Sequence, residues 1–196
     1  MEITMTTEED HKSRTARSYK LLLLFAMVSM IMMFAGLTSA YVVSKSRTDW
    51  LKDFQLPTAF YFSTLVIIGC SVTFHLAKKA IRKDNQSATT KFLLSTLVLG
   101  ILFVILQFVG FGQIVENGYY FTGSESSITT TFLYVVTVVH LIHLAGGVIS
   151  LLIIIYNHFK QKYNSSQTLG IELGAMYWHF LDLLWVYLFL FLYFFK

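Results

Sequence analysis

The stretch "YWHFLDLLW", Tyr177 to Trp185, places His179 and Asp182 three residues apart, between Trp178 and Trp185, in an otherwise apolar run. An imidazole and a carboxylate can act as general acid and base, bind a metal or pass protons along a membrane path. A second constellation, "HLIHLAGG", carries His140 and His143 one helical turn apart, followed by Gly147. Two His at that spacing can ligate zinc, iron or a haem. Glu172 in "GIELGAMYWH" and Gln107 in "LGILFVILQ" are further polar groups within or beside apolar runs.

At about 100° per residue, Trp178, Asp182 and Trp185 form one stripe of a helix, and His179 lies about 60° to its side. Indole rings shield a carboxylate from lipid, and their N–H groups seek buried acceptors. Asp182 therefore reads either as a node tying two helices together or as a proton relay, since a charge at bilayer depth is costly and faces protein. His140, His143 and Gly147 share a face. A metal site needs further ligands at the same depth, whereas His179 and Asp182 lie nearer one end of their run and His140 and His143 nearer the middle of theirs. Helix packing is the simpler reading of the pair, and no metal is expected in this chain. Small-residue spacings at Gly36-x-x-x-Ala40, Gly146-x-x-x-Ser150 and Gly170-x-x-x-Gly174 favour close helix approach. Gln107 reads as an interhelical hydrogen bond, Glu172 as a carboxylate at a helix start, and His75 and His158 as interfacial.

The elements that position these groups follow from hydropathy. The chain has 196 residues, of which 55% are hydrophobic and 13% charged, far fewer charges than a soluble domain carries. Mean hydropathy is +0.61. Five runs, at about 20–43, 57–77, 92–115, 130–156 and 175–195, are long enough to cross about 30 Å of hydrocarbon. Pro57 opens the second at a position where proline is tolerated. The expected fold is an all-α membrane protein of five transmembrane helices, residues 19–196, preceded by a mobile cytoplasmic tail, residues 1–18. "LTSA", Leu37 to Ala40, resembles a signal cleavage site, but the apolar run before it exceeds a signal core and reads as a true span. One cysteine, Cys70, excludes a disulfide within the chain.

Charge sets the expected orientation. Lys12, Arg14, Arg17, Lys20, Lys78, Lys79, Arg82, Lys83, Lys91, Lys160 and Lys162 fall on one side, against Lys45, Arg47, Lys52 and Lys196 on the other. Eleven against four predicts the N-terminus inside and the C-terminus outside, with the connection Glu116 to Thr129 outside. The net charge of +4 lies in the loops, so nucleic acid is not an expected partner. There is no Gly-rich nucleotide loop and no nucleophile–base pair.

These residues resemble subunit III of the haem–copper terminal oxidases. "YWHFLDLLWVYLF" is similar to that family's last helix, written Tyr-Trp-His-Phe-Val-Asp-Val-Val-Trp. "HLIHLAGG" resembles its His-Gly-x-His-x-x-x-Gly pattern, with Leu141 in place of the Gly. "LGIELGAMYWH" matches its Gly-Phe-Glu segment at Glu172, "LGILFVILQ" its glutamine helix at Gln107, and "LPTAFYFSTL" the start of an earlier helix. The resemblance covers about residues 20–196 and implies the five-span form, which lacks the first two of seven helices and ends outside. Two family carboxylates are absent. Met30 in "SMIMMF" stands where many members carry a glutamate, and Gly110 stands where another often follows the glutamine.

The resemblance implies a non-catalytic subunit, without catalytic residues of its own, of a bacterial cytoplasmic (inner) membrane complex. Such a complex reduces O2 to water with electrons from cytochrome c or quinol and pumps protons. Haem and copper belong to partner subunits. This chain packs on catalytic subunit I, and through the complex meets subunit II, while holding phospholipid between its helices. Two rivals are a bis-His haem cytochrome, whose ligands here do not pair in depth, and a small transporter using Asp182.

Overall fold

A computed structural model describes residues 2–47, 50–51, 55–121 and 127–195, with side chains described from Ser13 onward. The chain is helical almost throughout: α1 is Glu2–Ser44, α2 Thr58–Arg82, α3 Gln86–Glu116, α4 Ile128–Phe159 and α5 Leu169–Phe195. All five are long and apolar enough to cross a membrane. The described residues contain no named strand, only an isolated bridge between Asn164 and Gln167.

Helix ends are set by capping rather than by the edge of the apolar run, so several helices outlast the expected spans. Asn85 caps α3, its side chain accepting from the Ala88 N–H at 3.0 Å. Ser127 and Thr130 form a capping box on α4, which uses donors that have no partner within the helix. Residues 2–18, expected as a tail, continue α1. The segment contains no Gly or Pro, and extending a formed helix costs far less than starting one.

A very short turn joins α2 to α3, made possible by Asp84 in the left-handed region at φ 53°. The Asp84 carboxylate accepts from the Ser165 N–H and hydroxyl, both at 2.8 Å, so this turn is tied to the α4–α5 loop. Helices α2, α3, α4 and α5 pack in a ring in that order, with large α5 side chains reaching across to α3, and α1 lies against α4 and α5. The last helix is the most buried of the five.

Lipid is as apolar as leucine, so the bundle cannot rely on the hydrophobic effect between its helices. Close fit and interhelical hydrogen bonds must hold it. Trp178, Trp185, Phe60, Phe74 and Phe103 are fully buried at its centre. Polar pairs stitch the seams: Thr38 to Tyr187 at 3.2 Å between α1 and α5, Thr73 to Thr96 at 2.8 Å between α2 and α3, and Thr90 to His158 Nε2 at 2.8 Å between α3 and α4. His158 is thus buried, where the sequence places it at the interface. It lies on the inner face of the last turn of α4, opposite Thr90.

Candidate functional site

Helical spacing turns Trp178, Asp182 and Trp185 inward, and all three are buried. The stripe foreseen in α5 is therefore its packing face. Trp178 fits because two neighbouring helices give way to it. A Cβ on Gly100 of α3 would lie 3.1 Å from its Cζ2, and one on Gly147 of α4 would lie 3.3 Å from its Cζ3. The Trp185 indole N–H donates to Thr64 Oγ1 of α2 at 3.1 Å. Its ring meets Phe60 and Phe103 edge-on and lies 5.2 Å from the His140 ring.

Asp182 is 4% exposed, and neither carboxylate oxygen has a hydrogen-bond partner among the described residues. Ser71 of α2 lies near the carboxylate but is bonded elsewhere. The Ser71 hydroxyl shares a 2.7 Å hydrogen bond with His179 Nδ1. At this level the polar tie from α5 to α2 is therefore made by His179, the residue beside the stripe, and not by Asp182.

The two histidines of α4 separate. His140 is fully buried against Phe103 and Trp185, and neither ring nitrogen has a partner among the described residues. His143 is half-buried, shares a 2.8 Å hydrogen bond with the Val139 carbonyl and meets Phe34 of α1 edge-on. The His143 carbonyl accepts from the Tyr177 hydroxyl at 3.0 Å, joining α4 to α5. Among the described residues no group of three or more His, Cys, Asp or Glu is gathered as a metal site.

Gln107 performs the expected interhelical bond, its amide donating to Ser63 Oγ of α2 at 2.8 Å. Glu172 does more than begin a helix. Lys20 of α1 reaches it at 2.9 Å, Arg82 of α2 at 2.8 Å and Thr168 at 3.2 Å, so one carboxylate clamps three helices at the basic end. The sequence holds a trace of this clamp, because Lys20, Arg82 and Glu172 all border apolar runs on the same side. In the α4–α5 loop, burial pushes the Tyr163 phenol above its ordinary pKa, with a hydrogen bond from Asn157 opposing, and its ring covers Gly170.

The missing family carboxylates have different surroundings. Met30 is half-buried on α1. Gly110 lies under the ring of Phe60, where a Cβ would collide with the ring carbons. Of the small-residue spacings, Gly170-x-x-x-Gly174 does mark close packing, against Tyr163 and Ile154. Gly36-x-x-x-Ala40 does not. Both residues are exposed and nothing approaches Gly36. On α4 the close approach is made by Gly147, while Gly146 is exposed.

Such an arrangement defines a multi-pass helical membrane protein in which buried aromatic rings and a few polar groups join the helices to one another. The chain belongs to the cytochrome c oxidase subunit III family, whose profile, described as "Cytochrome c oxidase subunit III", matches residues 1–196. It is 33% identical over 140 residues to cytochrome c oxidase subunit 3 of Spodoptera frugiperda, covering 71% of this chain and 89% of that one. The bacterial subunit 3 of Thermostichus vulcanus is 28% identical over 175 residues, 87% of this chain and 84% of that one. For the Drosophila yakuba subunit the figures are 32% over 140 residues, and the match spans 50% of that protein.

Proposed function

We propose that this chain is the non-catalytic subunit III of a respiratory haem–copper oxidase. It packs on catalytic subunit I, and through the complex on subunit II, and sustains O2 reduction to water coupled to proton pumping. Haem and copper reside in those partners, and cytochrome c is the donor in this reading. The observation that carries it is the family match over the whole chain, joined to motif residues with structural work: Trp178 seated on Gly100 and Gly147, and Glu172 holding Lys20 and Arg82. The Lys and Arg count supports an orientation with the basic end in the cytoplasm, and relatives such as that of Thermostichus vulcanus support a bacterial inner membrane.

A lipid role has its own support. An apolar crevice of about 310 Å³ opens between α1, α4 and α5, lined by Tyr19, Leu23, Ile153, Leu173 and Tyr177. It shares Tyr163 and Gly170 with a cavity of about 620 Å³ at the basic end, bordered by Lys20, Lys162 and Thr168. An acyl chain suits the first and a phospholipid headgroup the second.

The test compares the purified oxidase with and without this chain at matched haem content. Without it, haem spectra and initial oxygen consumption should be retained, and activity should decay faster over successive turnovers. A stripped complex with normal haem spectra and no initial activity overturns the non-catalytic assignment.

A further inference from the structure

The outer wall formed by α2 and α5 carries polar side chains that this chain leaves partly unused. His75 is exposed on α2, and its ring lies 6.3 Å from that of half-buried His179 on α5. With Ser71, Val72 and Leu76 they line an open cavity of about 300 Å³. Ser71 occupies His179 Nδ1. Among the described residues no hydrogen bond is found for His179 Nε2 or for either nitrogen of His75.

Depth makes this significant. His75 lies seven residues before Arg82 and His179 seven residues after Glu172, and Arg82 and Glu172 form an ion pair at the end of the bundle. Seven residues of helix place both imidazoles about 10 Å inward of that pair. The 25-residue helix α2 overhangs a core of about 30 Å by only a few ångströms at each end. Both rings therefore lie within the hydrocarbon layer. Acyl chains offer them no hydrogen bond, and an imidazole is too short to reach water from there as a lysine can. Lys78, one turn further out on α2, adds positive charge on the same side. Among the described residues the acidic group near the wall is Asp182, which is buried behind Ser71; Cys70 of α2 lies beside it.

We propose that the Ser71–His75–His179 wall is a docking surface for one transmembrane helix of a neighbouring oxidase subunit. That helix presents an acceptor side chain, a carboxylate or amide oxygen, at the depth of the two imidazoles. The inference rests on the function proposed above, in which such neighbours exist, and adds the face and the chemistry of contact. The wall is otherwise apolar, with exposed Val72 and Leu65 flanking the polar cluster. That is the pattern of a helix–helix contact in a membrane, small in polar content but specific in register.

The experiment places a photo-crosslinking benzoyl-phenylalanine at Val72 in the purified oxidase complex and, as control, at Ile142 on the outer face of α4. Mass spectrometry identifies the adducts. The expected result is a protein adduct from Val72 to a transmembrane segment of one other oxidase subunit. Replacing His75 by Phe, alone and with His179→Phe, should lower that adduct by about threefold to tenfold, the worth of one interhelical hydrogen bond. His75 is exposed, so its single variant should leave the fold intact. Lipid adducts alone from Val72, in complexes that contain the chain, overturn the proposal. So does a protein adduct unchanged in both His variants. A chain that does not co-purify with a haem-containing oxidase contradicts the proposed function itself, a separable outcome.

Discussion

Gly147 of α4 and Trp178 of α5 meet where a single added methyl group would press on the indole ring. A Cβ there would also lie 2.9 Å from Leu181 Cδ1. This is the point at which two family motifs, distant in sequence, become one packing relationship. Gly147→Ala should therefore loosen the α4–α5 contact by about 1–3 kcal/mol, the usual cost of overpacking. Gly146→Ala, on the exposed side, should have little effect. Thermal unfolding of the detergent-solubilised complex, followed through this subunit, reads the difference.

Gly110 and Phe60 form a second fitted pair, and they explain why a family carboxylate has no room here. Gly110→Ala should destabilise the α2–α3 hairpin by a similar amount. Phe60→Leu should relieve most of that cost, because the ring that clashes is gone. The two changes should thus be non-additive by about 1 kcal/mol or more in a double-mutant cycle. Additive effects would mean that the ring is not what Gly110 accommodates.

The clamp at Glu172 holds α1 to the rest of the bundle. Glu172→Gln leaves the shape but removes the charge facing Lys20 and Arg82, and both partners are substantially exposed. Solvent screening keeps such a contribution to about 1 kcal/mol or less. The expected effect is local: faster amide exchange at the start of α5 and in the adjoining part of α1, weaker still at high salt, with unchanged exchange around Trp178.

Orientation has a direct test. Cysteine at Ser124, in the connection expected outside and beyond the described residues, should react with an impermeant maleimide in intact spheroplasts. Cysteine at Ser87, at the basic end beside Lys83 and Lys91, should not. The opposite labelling pattern would reverse the topology.

The five helices were legible because each apolar run is long enough to span a bilayer and is bounded by polar connections. The stripe of Trp178, Asp182 and Trp185 was legible because helical period alone selects it. Partner choice was not. His140 and His143 are one turn apart, yet one faces Trp185 and the other Phe34, since their azimuths differ enough to address different neighbours. Gly36-x-x-x-Ala40 and Gly170-x-x-x-Gly174 have the same local spacing, and only the second meets another part of the chain. Spacing states what a helix could do, and tertiary packing selects which of these is used. The clamp at Glu172 went unforeseen for the same reason, since Lys20 and Arg82 approach it from two other helices.

Asp182 gives the sharpest separation between scaffold and relay. A hydrogen-bonded node would lose its bonds on substitution, but this carboxylate has none among the described residues, and the helices are tied by His179 to Ser71 instead. Asp182→Asn keeps the volume and should leave assembly, haem content and proton pumping unchanged. His179→Phe strips Ser71 of its partner and should cost about 1 kcal/mol in an interhelical contact. The effect should be read as earlier loss of the subunit during detergent titration. Measurements of pumping stoichiometry in vesicles, alongside subunit retention, separate the two roles. If Asp182→Asn abolishes pumping in an intact, fully retained complex, the carboxylate carries protons and the scaffold reading of α5 is wrong.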